Sequence, residues 1–193
     1  MVQRPVRSDA QRNRQAILAA ARVLLTSSSC PQGVSMEDIA VAAGVGKGTL
    51  FRRFGDRAGL IRAVVDSLLD PLDQAVVKAL DAAGSSPRKR VLTLLDTWLC
   101  FKIDNRSLFE ATENAGFGSP YQATHYSNAH RLLRADLKRL REISDPDFTA
   151  HALLAAIRID LVTHLLDERN VPPECLRSSL VRHVETLCGT DSV

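Results

Sequence analysis

The sequence predicts an all-α protein. Three observations carry that expectation. Apolar residues recur at helical spacing along most of the chain, no stretch alternates apolar and polar residues over a strand's length, and aromatic residues are only 5% of the total. Gly and Pro cut the 193 residues into about nine helical pieces, a group of short helices followed by a larger bundle. That length allows one large domain or two small ones, and 45% hydrophobic with 24% charged residues excludes wholesale disorder.

The first helix is expected over Gln11–Thr26. Ile17, Ala20, Ala21, Leu24 and Leu25 follow the offsets of one helix face, with Arg12, Arg14 and Arg22 off that stripe. Ser8 or Asp9 is the expected cap, and residues 1–9, with Arg4 and Arg7, read as a flexible basic arm. A loop through Ser27–Gly33 leads to Ser35 and Asp38, spaced as a capping box. Ile39, Ala40 and Ala43 give a short second helix that Gly44 ends, because glycine takes a left-handed conformation at little cost. A third helix, about Gly46–Phe54, buries Leu50 with Phe54, and Gly55-Asp56 closes it.

Two short helices meeting at a turn of about three residues, supported by a longer helix before them, make a helix-turn-helix layout. Ala40 is small where the helices cross, and Leu50 anchors the second. Gly46 and Gly48 are poor choices for so short a helix. They make sense where a bulky partner approaches the backbone at the helix N-terminus, as DNA does. Lys47 and Thr49 then reach bases or phosphates, and Arg52, Arg53 and Arg57 meet the phosphate backbone. Charge agrees. Residues 1–62 hold ten Lys/Arg against four Asp/Glu, whereas residues 63–193 hold fifteen against eighteen. A solvated αα-corner with surface arginines is the bland alternative.

Residues Ser35–Leu60 resemble the DNA-binding signature of TetR-family transcriptional regulators, and the helix carrying Ile17, Ala20 and Ala21 resembles that family's first helix. The resemblance covers about the first third of the chain. It implies a homodimeric repressor, without cofactor, that leaves a palindromic operator in double-stranded DNA when a small molecule binds the C-terminal domain. It places Arg14, Val45, Gly46, Lys47, Gly48, Thr49, Phe51, Arg52 and Arg53 at the DNA, with Ser35 and Arg57 on phosphates. Three positions depart from the usual pattern: Gly46 stands where Ser is frequent, Phe51 where Tyr is, and Arg53 where His is.

The remainder, residues 57–193, is then a ligand-binding and dimerisation domain, with residues 1–56 as the DNA-binding domain. A long fourth helix runs from Arg57 to about Ala82, with Pro71 either kinking it or dividing it in two. Further helices are expected at about Arg88–Ile103, Arg106–Ala115 and Tyr121–Glu142, with a loop at Gly116–Pro120. An eighth runs from Asp145-Pro146 to about Glu168, and a ninth from Pro172-Pro173 to about Cys188. The eighth is apolar almost all round, which requires burial on two sides. Leu153, Ile157, Leu161 and Leu165, with Leu176, Leu180, Val184 and Leu187 of the ninth, are therefore expected at a two-fold four-helix interface.

Aromatic residues cluster between residues 98 and 126. Trp98, Phe101, Phe117 and Tyr121, with Glu113, His125 and Arg158 as polar groups, are the candidate small-molecule pocket. Ordinary core packing, or pairing of Arg158 with Asp160, is the alternative. A C-terminal domain that binds only a protein partner is a second reading of the function.

A helical enzyme is the remote alternative. No catalytic residue is expected, because the chain has no phosphate loop and no nucleophile elbow. No metal site is expected either, since the five histidines form no HxxxH or ExxH pair. Four scattered cysteines suit reduced thiols in a cytoplasmic protein. The N-terminus lacks the apolar segment of a secretory signal, and no apolar run approaches the length of a membrane helix.

Overall fold

A computed structural model describes residues 5–27, 33–114, 121 and 123–189. The described residues are helical, joined by turns: α1 (Pro5–Ser27), α2 (Met36–Ala42), α3 (Lys47–Phe54), α4 (Arg57–Ala82), α5 (Pro87–Asp104), α6 (Arg106–Asn114), α7 (Thr124–Leu137), α8 (Pro146–Ala155), α9 (Ile159–Thr163), a π-helical segment at His164–Glu168, and α10 (Pro173–Cys188). The all-α expectation holds.

Contacts divide the chain into two compact units. The first holds the described residues up to Asp70 together with the part of α6 from Ser107 onward; the second holds Pro71–Arg106 and the rest. The division thus falls inside α4, fourteen residues beyond the expected boundary at Asp56, because Leu60, Ile61, Val64 and Val65 are buried. α4 is one continuous helix with Pro71 inside it, not two helices. Pro71 lies on its exposed side, where the carbonyl left unpaired one turn back stays within reach of water.

In the first unit α1 packs on α2, and α2 on α3. Ile17, Ala21 and Leu25 of the α1 stripe are fully buried, as are Leu50 and Leu60. α1 begins six residues earlier than expected, so Ser8 and Asp9 lie within it rather than capping it, and part of the supposed basic arm is helix. Asp9 instead pairs with Arg12 on the same helix. The α2 cap matches the expectation: Ser35 Oγ accepts from the Asp38 N–H at 3.1 Å, and the Ser35 N–H donates to Asp38 Oδ2 at 2.9 Å. The Ser35 hydroxyl also donates to Oδ2 at 2.6 Å. Gly44 takes φ 65° in the turn, and Gly55 takes φ 77° after α3.

In the second unit α5 packs against α7 and α10, and α7 against α8. Val91, Leu94, Leu95 and Leu99 of α5 are buried with Leu133 and Leu137 of α7, and with Leu153 and Val184. Asp136 is buried against α5, where Arg90 Nε donates to both its oxygens at 2.9 and 3.0 Å and Arg139 adds a third bond at 3.1 Å. α7 is shorter than expected at both ends; turn residues Lys138 and Arg139 succeed it.

The expected eighth helix is broken. α8 stops at Ala155, and the next helical stretch starts at Ile159 with a 43° bend between them. Arg158 is extended at the break, and its guanidinium pairs with Asp160 at 2.9 Å in the first turn of α9. The Ile157 carbonyl, released from the helix, accepts from Lys102 Nζ at 2.7 Å. The bend lets Leu153, Leu154 and Ile157 bury on one side of it and Ile159 and Val162 on the other. No single helix among the described residues is long and apolar enough to cross a membrane.

Candidate nucleic-acid interface

The surface of α3 is built by three local devices. The turn Ala43–Gly46 sets its direction, with the Val45 N–H bonded to the Ala40 carbonyl at 3.0 Å. Leu50, with no exposure, anchors it from beneath. Gly46 occupies the N-cap without a side-chain bond, so no capping side chain of its own covers the Lys47 and Gly48 N–H groups that open the helix. Those free donors and the positive end of the helix dipole favour an anion.

Lys47, Gly48, Phe51, Arg52 and Arg53 are exposed, and Val45 and Thr49 are half-buried. Lys47 Nζ lies 5.9 Å from the centre of the Phe51 ring and also pairs with Glu37 of α2. A Cβ placed on Gly46 or Gly48 would meet nothing within 4 Å. The chain's own packing therefore does not require glycine at either position, and the space above them is open.

The remaining expected contacts divide. Arg14 is exposed on α1. Arg53 donates to the Ala10 carbonyl, which ties α3 to α1. Arg57 Nε donates to the Val34 carbonyl at 3.2 Å and ties the start of α4 to the residue before the Ser35 cap. Both arginines thus hold the unit together, a role the sequence pattern did not reveal because their acceptors are main-chain carbonyls distant in sequence. The Glu37–Lys47 pair was missed for a similar reason: it spans the turn rather than one helix.

The expected pocket residues do not converge. Trp98 is buried beneath Lys102, whose Nζ sits 5.9 Å from the ring. Tyr121 is 51% exposed and meets Tyr126 edge-on at 5.2 Å. His125 Nδ1 lies 3.2 Å from Asp73 Oδ2. Arg158 is engaged with Asp160. Phe101 is half-buried, Phe117 lies outside the described residues, and the Glu113 side chain does as well. A groove of about 370 Å³ opens elsewhere, between α5 and α10, bordered by Leu92, Thr93, Val181 and the Arg177–Asp96 pair, whose two bonds are 2.7 Å each.

The expected dimer residues also divide. Leu153, Ile157 and Val184 are buried inside the single chain, and Leu176 and Leu180 nearly so, which leaves them little surface to offer a second copy. Helical periodicity marks them as apolar but cannot say which neighbour covers them. Leu161 and Leu187 are exposed, Leu165 is half-buried, and Phe148 of α8, which the periodicity did not single out for this role, is 70% exposed.

The fold and this surface define a helix-turn-helix DNA-binding protein. Residues 17–64 match the family model for bacterial regulatory proteins of the tetR family. An HTH-type transcriptional regulator of Staphylococcus aureus (strain MRSA252) is 29% identical over 161 residues, 82% of this chain and 84% of its own length. A second such regulator, from strain USA300, is 29% identical over 91% of this chain and 94% of its own. The structure of NalD, the secondary repressor of the MexAB-OprM multidrug efflux pump in Pseudomonas aeruginosa, superposes with a TM-score of 0.65 at 22% identity, covering 95% of this chain and all of that one. A TetR transcriptional regulator from Rhodococcus sp. RHA1 superposes at 0.60 with 25% identity, over 94% and 99% of the two chains. Over residues 17–64, and more weakly over most of its length, this chain is similar to helix-turn-helix transcriptional regulators of the TetR family.

Proposed function

We propose that the chain is a cytoplasmic repressor that binds a palindromic operator as a homodimer and leaves it when a small molecule binds the C-terminal bundle. It acts by binding and carries out no catalysis. The observation that carries the DNA-binding part is the open space over Gly46 and Gly48 beside exposed Lys47 and Arg52. A helix that forgoes stabilising side chains at Gly46 and Gly48, where a Cβ would meet no neighbour, suits close approach by a phosphate backbone and base edges.

The symmetric operator follows from the dimer. Two recognition helices related by a two-fold axis read half-sites about 34–36 Å apart. Exposed Phe148, Leu161 and Leu187 supply the apolar surface such a dimer needs. In the contact set proposed for DNA, Lys47, Thr49 and Arg52 reach bases or phosphates. The Ser35 hydroxyl and the Arg57 guanidinium, both held at the head of their helices, meet phosphates. The effector site belongs to the bundle of the second unit, where the groove between α5 and α10 is large enough for a small ligand.

Selection from a pool of random duplexes at two salt concentrations tests the reading. A recovered palindrome, with affinity falling steeply as salt rises, supports a dimeric specific binder. Retention of every duplex equally, or of none, overturns it.

A further inference from the structure

We propose that His130, Asp147 and His151 form a binding site for a divalent transition-metal ion, and that the ion clamps α7 to α8. His130 projects from α7, whereas Asp147 and His151 stand four residues apart on one face of α8. One ligand atom from each lies within 4.8 Å of those of the other two. His130 Nε2 is 3.8 Å from Asp147 Oδ1, and the two imidazole rings are 4.0 Å apart, centre to centre. Donors in a tetrahedral zinc shell stand about 3.3 Å apart, given bonds near 2.0–2.1 Å. Small side-chain rotations therefore complete the shell without moving either helix.

The surroundings hold the ligands in place. Tyr126 Oη lies 2.6 Å from His151 Nδ1, which fixes that ring and leaves Nε2 as the nitrogen for the ion. Such a partner on the second nitrogen accompanies nearly every metal-bound histidine. Arg134 Nε donates to Asp147 Oδ1 at 2.7 Å, which orients the carboxylate. Asp147 and His151 are exposed and His130 is half-buried, so an ion enters directly from solvent.

The donor set selects the class of ion. Two imidazoles and one carboxylate suit Zn²⁺, Co²⁺ or Ni²⁺; Cu⁺ wants thiolate or thioether, and Mg²⁺ and Ca²⁺ want oxygen. Three protein ligands leave the fourth position to water. The sequence reading passed over this site because it sought His–His and Glu–His spacings. Asp147-x3-His151 has the same geometry, and its third ligand comes from another helix.

The test uses the full, untagged chain stripped by a chelator and titrated with Co²⁺, followed by its visible spectrum and by Zn²⁺ competition. The expected result is a four-coordinate cobalt spectrum that saturates at one ion per chain. His130→Gln and His151→Gln each weaken binding by at least roughly tenfold, a loss that even an outer partner's removal causes. His164→Gln, in the separate pair with Glu168, leaves binding unchanged. Zn²⁺ raises the melting temperature of the parent chain but not of the H130Q/H151Q double variant, whose fold is checked by circular dichroism and, as a second route, by the isosteric Asp147→Asn. Absence of saturable binding, or binding that survives the double variant, overturns the proposal.

Discussion

Glu37 of α2 and Lys47 at the first position of α3 form an ion pair across the helix-turn-helix turn. Both side chains are more than half exposed. Exposed pairs of this kind contribute only about 0–1 kcal/mol, so a DNA phosphate competes readily for the lysine. In the contact set proposed for DNA, Glu37 thus occupies the place that a phosphate would take at Lys47. Glu37→Gln is expected to tighten binding to duplex DNA a few-fold while leaving the melting temperature almost unchanged. Lys47→Gln weakens binding and lowers the slope of log affinity against log salt by about one. Fluorescence anisotropy across a salt series measures both; equal slopes for parent and K47Q would remove Lys47 from the phosphate contacts.

Gly48 separates folding from binding. Its added Cβ meets no atom within 4 Å, and alanine is favoured over glycine inside a helix by about 1 kcal/mol. Gly48→Ala is expected to raise the melting temperature by about 2–4 °C, the scale for a chain of this size. The same methyl group stands where the DNA must approach, so operator affinity falls at least tenfold. A variant that is more stable and binds equally well would show that nothing approaches this backbone closely.

The helix-turn-helix unit was legible because its determinants are local. Gly44 supplies the positive φ, Ser35 and Asp38 form the cap, and Leu50 follows at a fixed distance. The break after α8 was not legible. It depends on Lys102, far away in the chain, taking the Ile157 carbonyl, and on Arg158 turning to Asp160 instead of staying in the helix. The burial of the apolar stripe expected along the eighth helix was half legible for a related reason. Leu153 and Leu161 share an apolar face in a continuous helix, but the bend buries one and exposes the other.

Acid is expected to loosen the α2 cap. The Ser35 hydroxyl, and then its backbone N–H, hold the Asp38 carboxyl below the ordinary carboxylate range. A group depressed in the folded state stabilises above its unfolded pKa, about 3.9, and loses that contribution as pH falls through the lower folded value. Asp38→Asn should therefore melt below the parent chain at neutral pH. The gap should begin to shrink near pH 4 and close in stronger acid. Parallel melts from pH 7 to pH 2 check this; a gap independent of pH would mean that the charge on Asp38 contributes nothing to the cap.

Asp136 carries a larger share of stability. It is 5% exposed, and Arg90 and Arg139 both bond to it while Arg90 Nη1 also donates to the Leu80 carbonyl at 3.0 Å. Removing the acid strands a half-buried guanidinium between α5 and α7, a loss of about 3–5 kcal/mol for a buried pair. Asp136→Ala should lower the melting temperature by roughly 6–20 °C at the 2–4 °C per kcal/mol expected for this size. Arg90→Met, which removes the charge and keeps the volume, should cost less when combined with Asp136→Leu than either change alone, because the uncompensated charge rather than the lost pair dominates the penalty. A double variant as unstable as the sum of the singles would show that the two residues act independently.

The proposed dimer surface gives the sharpest division among apolar residues of similar chemistry. Phe148 and Leu161 are exposed on the single chain, whereas Leu153 and Ile157, between them in sequence, are buried in it. Phe148→Asp and Leu161→Asp place a charge where the proposed partner copy would bury it, a desolvation cost that a dimer interface does not tolerate but a monomer surface does. Each should sediment as a folded monomer with the parent's helical circular dichroism, and each should lose binding to a palindrome while keeping weak binding to one half-site. Leu153→Asp, by contrast, should unfold the chain. Sedimentation velocity of the three variants separates the cases, and a dimer that survives both exposed substitutions would move the interface away from α8 and α9.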